Sequence, residues 1–195
     1  KSGVWESVMR TLTLFAERLP EKANIIVLNS VISPGTMTEA PNLAEFARRA
    51  GFFNSFIPVH AGEKKQGLNY RSASPDFSFP PAAHAEIDRI YQRLLDLKAK
   101  GYPIFGSRRF LKESAEFLKT GRVRWACPVP GLFFEVGPDG SYAPCSEFTT
   151  RYSLIDDDFS ERYRSREFRE QVRKYAEQCP GCMYACWPEV TYMCT

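Results

Sequence analysis

Six cysteines carry the chemistry open to this chain, and all lie between Cys127 and Cys194, after 126 residues that have none. Cys127 and Cys145 are separated by seventeen residues, with a Gly-Pro-Asp-Gly turn at 137–140 between them. Cys179-Pro180-Gly181-Cys182 follows as a tight two-thiol claw, and Cys186 and Cys194 come after it. Proline and glycine turn the backbone sharply and let amide N–H groups face a sulfur. Thiolates gathered at such spacings from distant parts of a chain point to a metal or iron–sulfur site. Cys127, Cys145, Cys179 and Cys182 would suit tetrahedral zinc or a [4Fe–4S] cube, and thiolate softness does not separate the two. An even cysteine count also permits disulfides. Clustering behind a cysteine-free body, together with the Cys-x2-Cys spacing, favours a metal.

The polar residues of the body are softer candidates. Asn29 and Ser30 sit where an apolar strand is expected to end, the position at which α/β sheets meet ligands. A strand cap or loop hydrogen bond explains them equally well. His60 ends the next apolar run and could line a cavity or serve as a structural polar group. Asp156, Asp157 and Asp158 read as a solvated loop without metal-ligand spacing. Trp187 and Tyr192 stand near the claw, where they would shield a metal from water, and Tyr91 and Phe105 read as core.

These groups must be positioned by the elements around them. Residues 2–19 place Trp5, Val8, Met9, Leu12, Phe15 and Leu19 at helical steps, and Pro20 ends that helix. Asn24–Ile32 is a β-branched run of buried-strand length. Asn42 then caps a helix closed by Gly51, and Phe53–Val59 is a second strand, so the segment reads as a βαβ unit. A polar loop covers 63–80, and a long helix with Pro81 in its first turn covers 82–100. A brief strand at 103–107 and a helix at 108–120 continue the alternation. Three strands cannot close a barrel. Beyond Gly121 the pattern changes to a β-hairpin, 132–136 and 141–144, with Pro138 at the second position of its turn. One helix over 161–178 then delivers Cys179. A boundary near 122 divides body, 1–121, from tail, 122–195.

Bulk properties exclude several classes. The net charge of +3 is mild and the signs are mixed, and no basic run interleaves with aromatics, which argues against nucleic acid. No apolar run approaches a membrane span and no signal peptide is evident, so a cytoplasmic protein without a membrane partner is expected. Lys1 opens inside a helical pattern, so the chain reads as part of a longer polypeptide.

The order Cys127-x12-Gly140-x4-Cys145, then Cys179-x2-Cys182, resembles the auxiliary-cluster region of radical S-adenosylmethionine (SAM) enzymes, called SPASM in its long form and Twitch in its short form. Trp125-Ala126-Cys127 before the hairpin and Val136-Gly137-Pro138-Asp139-Gly140 at its turn belong to the likeness. Upstream, the run from Asn24 to Ile32, its helix and the run from Phe53 to Gly62 are similar to the later strands of that family's partial barrel. The resemblance implies an α/β fold: the later part of a partial (βα)6 TIM-like barrel, then a small α+β domain of hairpin and helix. It implies one auxiliary [4Fe–4S] cluster on Cys127, Cys145, Cys179 and Cys182, with Cys186 and Cys194 as alternates, because six thiols are too few for two clusters. It places Asn29, Ser30 and His60 at a cofactor cavity. The SAM-binding Cys-x3-Cys-x2-Cys motif does not occur here, so SAM and a second [4Fe–4S] cluster are expected in the full-length protein, and this portion alone is expected to be inactive. Hydrogen abstraction by a 5′-deoxyadenosyl radical from a small-molecule or peptide substrate is the implied reaction. A flavodoxin- or ferredoxin-type donor is the implied electron source. The competing expectation is a zinc-stabilised α/β binding module without redox chemistry.

Overall fold

Three parallel strands form the frame: β1 (Val27–Ile32), β2 (Phe53–Pro58) and β3 (Ile104–Phe105), in the spatial order β1-β2-β3. The computed structural model describes residues 3–18, 25–61, 74–125, 127, 134–148 and 150–194. Parallel neighbours need a crossover, and here helices supply it. α2 (Ala40–Ala50) joins β1 to β2, and α3 (His84–Ala99) lies between β2 and β3. α4 (Arg108–Thr120) follows β3. The βαβ unit expected over residues 24–59 is therefore present in this mixed α/β chain.

All three of these helices cover the same face of the sheet. Ile32, Phe56 and Ile104 point into that core, where they meet Ala44 of α2, Ile90 and Leu94 of α3, and Leu111 of α4. Alternate strand residues must then point the other way. Val27, Asn29 and Val31 of β1, Ser55 and Ile57 of β2, and Phe105 of β3 line a cavity on the uncovered face. Asn29 pairs with Ser55, and Ser55 with Phe105, so one row of side chains crosses the sheet there.

Several sequence expectations need correction. β1 is not buried on both faces: Val31 is 53% exposed on the cavity side. Asn29 and Ser30 lie inside β1 rather than at its end, and consecutive strand residues face opposite ways. They therefore cannot serve one site; Asn29 lines the cavity, and Ser30 shares its face with Ile32. Phe105 is 45% exposed in the cavity wall, not core, whereas Tyr91 is buried as expected. Asn42 is no cap. α2 begins at Ala40 after a 3₁₀ turn, Met37–Glu39, and the Asn42 amide donates to Glu39. Pro81 opens a separate 3₁₀ turn, Pro81–Ala83, before α3. α1 (Val4–Arg18) forms, but its apolar stripe buries nothing among the described residues. The expectations placed on Leu19, Pro20, Asn24, the loop at 63–73 and residues 132–133 lie outside the described residues.

The tail holds a two-stranded antiparallel hairpin, β4 (Glu135–Val136) and β5 (Tyr142–Ala143). Gly140 donates to the Gly137 carbonyl at 2.9 Å, which puts Pro138 at the second position of the turn. The helix expected at 161–178 is two helices, α5 (Phe159–Arg164) and α6 (Arg166–Gln178). Ser165 breaks it: its backbone is extended, and its hydroxyl accepts the Phe168 N–H at 3.1 Å as the cap of α6. Tyr142, Tyr152, Phe168 and Val172 make a small core beneath hairpin and helices. A final helix, α7 (Cys186–Cys194), was not foreseen. Its Pro188 obscures the pattern, although proline is tolerated in a first helical turn.

Candidate metal centre and adjoining cavity

Three of the four candidate thiols pack together in the tail. Cys127 lies two residues beyond the buried Trp125, Cys145 just after β5, and Cys179 at the C-terminal cap of α6. Cys182 completes the claw. Cys127, Cys145 and Cys182 pack on one apolar cluster with Phe110 and Phe117 of α4, Trp125, Met183 and Trp187. Burial first, and then the charges of Cys179, Cys127 and Cys145, push the Cys182 thiol well above its ordinary value. Burial likewise pushes Cys145 up to about 11, with Cys179 and Cys127 adding to the rise. Each of the four thus lies within electrostatic reach of others in the set.

Backbone amides face these sulfurs. The Gly181 N–H donates to Cys179 Sγ at 3.4 Å. N–H groups of Glu147 and Phe148 favour ionisation of Cys145, and that of Tyr184 favours ionisation of Cys182. Donors so placed orient a sulfur and stabilise its thiolate, as outer-shell groups do around metal-bound cysteine. Gly181 has φ +85°, and a Cβ there would lie 2.1 Å from Val123 Cγ2. The claw therefore requires glycine both for its turn and for its approach to the chain leading to Cys127.

The thiols are gathered without being closed on a common point. Among the described residues, no group of three or more His, Cys, Asp or Glu side chains could hold a metal ion as it stands. The donor set suits zinc or an iron–sulfur cluster in chemistry, being all sulfur, half-buried to buried, and supplied with amide donors. Cys127, Cys145, Cys179, Cys182 and Cys186 are not joined in disulfides.

Cys186 stands apart. It lines the cavity, and the neighbouring charge it feels is Glu135, not the other thiols; burial raises its thiol first. The Cys194 side chain lies outside the described residues. Asp156, Asp157 and Asp158 are exposed. Trp187 is buried and Tyr192 half-buried against the thiol-bearing cluster.

His60 joins centre and cavity. Its Nε2 accepts the Met183 N–H at 2.8 Å, and its ring stacks on Tyr184 with centroids 4.0 Å apart. His60 and Tyr184 both line the cavity, which has a volume of about 980 Å³. The Tyr184 hydroxyl donates to Glu147, a carboxylate buried two residues beyond Cys145. Glu189 of α7 reaches the body and accepts the Ser107 N–H at 2.5 Å, at the start of α4. Sequence reasoning missed Ser55, Glu147, Tyr184 and Glu189. Glu147 and Tyr184, each two residues after a cysteine, had a local signal.

No family model, curated protein or solved structure matches this chain. Among the described residues, no helix is long and apolar enough to cross a membrane.

Proposed function

We propose that the chain is the later part of a radical SAM enzyme whose tail holds one auxiliary [4Fe–4S] cluster on Cys127, Cys145, Cys179 and Cys182. The observation that carries this is the packing of Cys127, Cys145 and Cys182 on one apolar cluster, with Cys179 at the other end of the claw, beside a large cavity on the sheet's open face. A parallel sheet with helices on one face and a cavity on the other suits the wall of a partial (βα)6 barrel. The body, 1–121, would form that wall, and the tail, 122–195, its cap. A cluster with four cysteine ligands would supply one-electron transfer or structural support. The chain's own part is to hold a substrate in the cavity, with Tyr184 and His60 between it and the thiols, and to exclude water with Trp187. Initiation by SAM would come from a Cys-x3-Cys-x2-Cys loop, which these residues do not contain.

A second reading, a zinc-stabilised binding module, is favoured by the amide-to-sulfur pattern at Cys145 and Cys179, which tetrahedral thiolate sites also use. Anaerobic loading with iron and sulfide separates the two. Under the first reading the chain turns brown, absorbs near 400 nm, and takes up about four iron and four sulfide. Alanine at Cys127, Cys145, Cys179 or Cys182 would lower that uptake, and alanine at Cys186 would not. A colourless chain binding one zinc and no iron would overturn the iron–sulfur proposal. In the natural polypeptide, reduction with SAM should release 5′-deoxyadenosine.

A further inference from the structure

The cavity on the open sheet face carries its own chemical signature. Its floor is apolar apart from Asn29 and Ser55. Ser55 is 2% exposed, and its hydroxyl has no hydrogen-bond partner, although its register on β2 turns it towards the cavity. A buried hydroxyl left unpaired is costly, and a ligand's polar group would remove that cost. Two carboxylates, Glu135 of β4 and Glu189 of α7, also line the cavity. Each is oriented by a neutral donor: Ser146 Oγ donates to Glu135 and the Ser107 N–H to Glu189. Neutral donors leave both negative charges in place.

Among the described residues, no Lys or Arg lines this cavity. Lys98 lies behind the wall, where its ammonium donates to the Ile104 carbonyl at 2.7 Å and feels Glu189, so it offsets part of one charge. His60 uses Nε2 as an acceptor for Met183. Phe105, Trp187 and Val31 give the space an aromatic and aliphatic lining. A volume of about 980 Å³ is at the upper end of what small-molecule sites use.

We propose that this cavity binds a small amphipathic primary amine whose ammonium meets Glu135 and Glu189 and whose second, neutral hydroxyl or amide meets Ser55 and Asn29. As a substrate class this rests on the radical SAM reading; as a binding site it does not, because no thiol ligand takes part. The test is therefore made on the chain without iron, zinc or SAM. Calorimetric titration with tyramine, its uncharged analogue tyrosol and phenethylamine, which lacks the hydroxyl, reads charge and hydroxyl separately.

Tyramine should bind about tenfold or more tightly than tyrosol, the range expected of one hydrogen bond to a charged group. It should also bind severalfold more tightly than phenethylamine. Glu135→Gln with Glu189→Gln keeps an acceptor oxygen for Ser146 and Ser107, so the fold is retained, and it should erase the preference for tyramine over tyrosol. Ser55→Ala should bring tyramine and phenethylamine together. Equal binding of tyramine and tyrosol, or a preference that survives the double variant, would overturn the proposal. Failure of iron loading with amine selectivity intact would sink only the cluster, so the two readings fail separately.

Discussion

His60 Nε2 accepts the backbone N–H of Met183 at 2.8 Å, tying the end of β2 to the residue that follows Cys182. The two are 123 positions apart, and both are buried. The imidazole is therefore the tautomer with its proton on Nδ1, since the acceptor nitrogen must be bare. The ring also stacks on Tyr184 and leans on Phe117, with centroids 5.1 Å apart, so one side chain anchors the claw's exit to both α4 and β2.

Replacing His60 by Ala leaves the Met183 N–H buried without its acceptor, which costs about 1–3 kcal/mol, and removes a ring stack worth about 1 kcal/mol. Urea unfolding of His60→Ala should show a loss of roughly 2–4 kcal/mol. His60→Gln offers an amide oxygen in place of Nε2 and should recover part of it. A loss under about 0.5 kcal/mol in the alanine variant would mean that the contact does not hold tail to body.

Gly181→Ala is expected to be severe for two separable reasons. A left-handed backbone costs an L-residue roughly 1–2 kcal/mol, and the new Cβ would sit 2.1 Å from Val123 Cγ2. A total loss of about 3 kcal/mol is expected, with reduced metal uptake because the Gly181 N–H moves off Cys179. Adding Val123→Ala should return the steric part and leave the backbone part. No rescue by the second substitution would show that the overlap is relieved in some other way.

Periodicity made α3, α4 and the parallel pairing of β1 with β2 legible, because Ile87, Ile90, Leu94 and Leu97 keep helical spacing and two short runs of strand length flank a helix. The turn at Gly137–Gly140 was legible from Pro138 and Gly140, whose conformational preferences are local. Ser165 was missed because a serine inside a helical pattern is common, and only its bond to Phe168 makes it a cap. The cavity was invisible for a different reason. Asn29, Ser55 and Phe105 share a face only through pairing register, and Glu135 and Glu189 meet that face through tertiary packing. Spacing picked out Cys127, Cys145, Cys179 and Cys182 as a set; the structure packs Cys127, Cys145 and Cys182 on one apolar cluster, and Cys186 lines the cavity.

Glu189 supports the start of α4 as well as the cavity wall. Its Oε1 accepts the Ser107 N–H, while Ser107 Oγ accepts the Phe110 N–H at 3.0 Å. A carboxylate at a helix N-terminus also meets the positive end of the helix dipole. Glu189→Ala should cost about 1–2 kcal/mol in thermal or urea unfolding, and Glu189→Gln, which keeps the acceptor, about 0.5 kcal/mol. Equal effects of the two would place the contribution in charge alone.

The metal-free chain should lose stability at alkaline pH. Burial lifts the Cys145 thiol from 9.0 to about 11, against the pull of the Glu147 and Phe148 amides, and lifts Cys182 further still. A raised folded value means that the unfolded chain releases its proton first. The contribution of Cys145 is therefore complete below about pH 9 and is lost as pH rises through about 11, and that of Cys182 is lost at higher pH still. Thiolate is the form that binds metal and reacts with alkylating agents, so loading should release protons and strengthen as pH rises. Iodoacetamide at neutral pH should modify Cys186 first, since it is exposed through the cavity although its walls raise that thiol, then Cys145, with Cys182 last. Mass mapping of the alkylated peptides reads the order directly. Early modification of Cys182, with unfolding midpoints unchanged between pH 8 and 11, would mean that this thiol is not held protonated within the Trp125–Trp187 cluster.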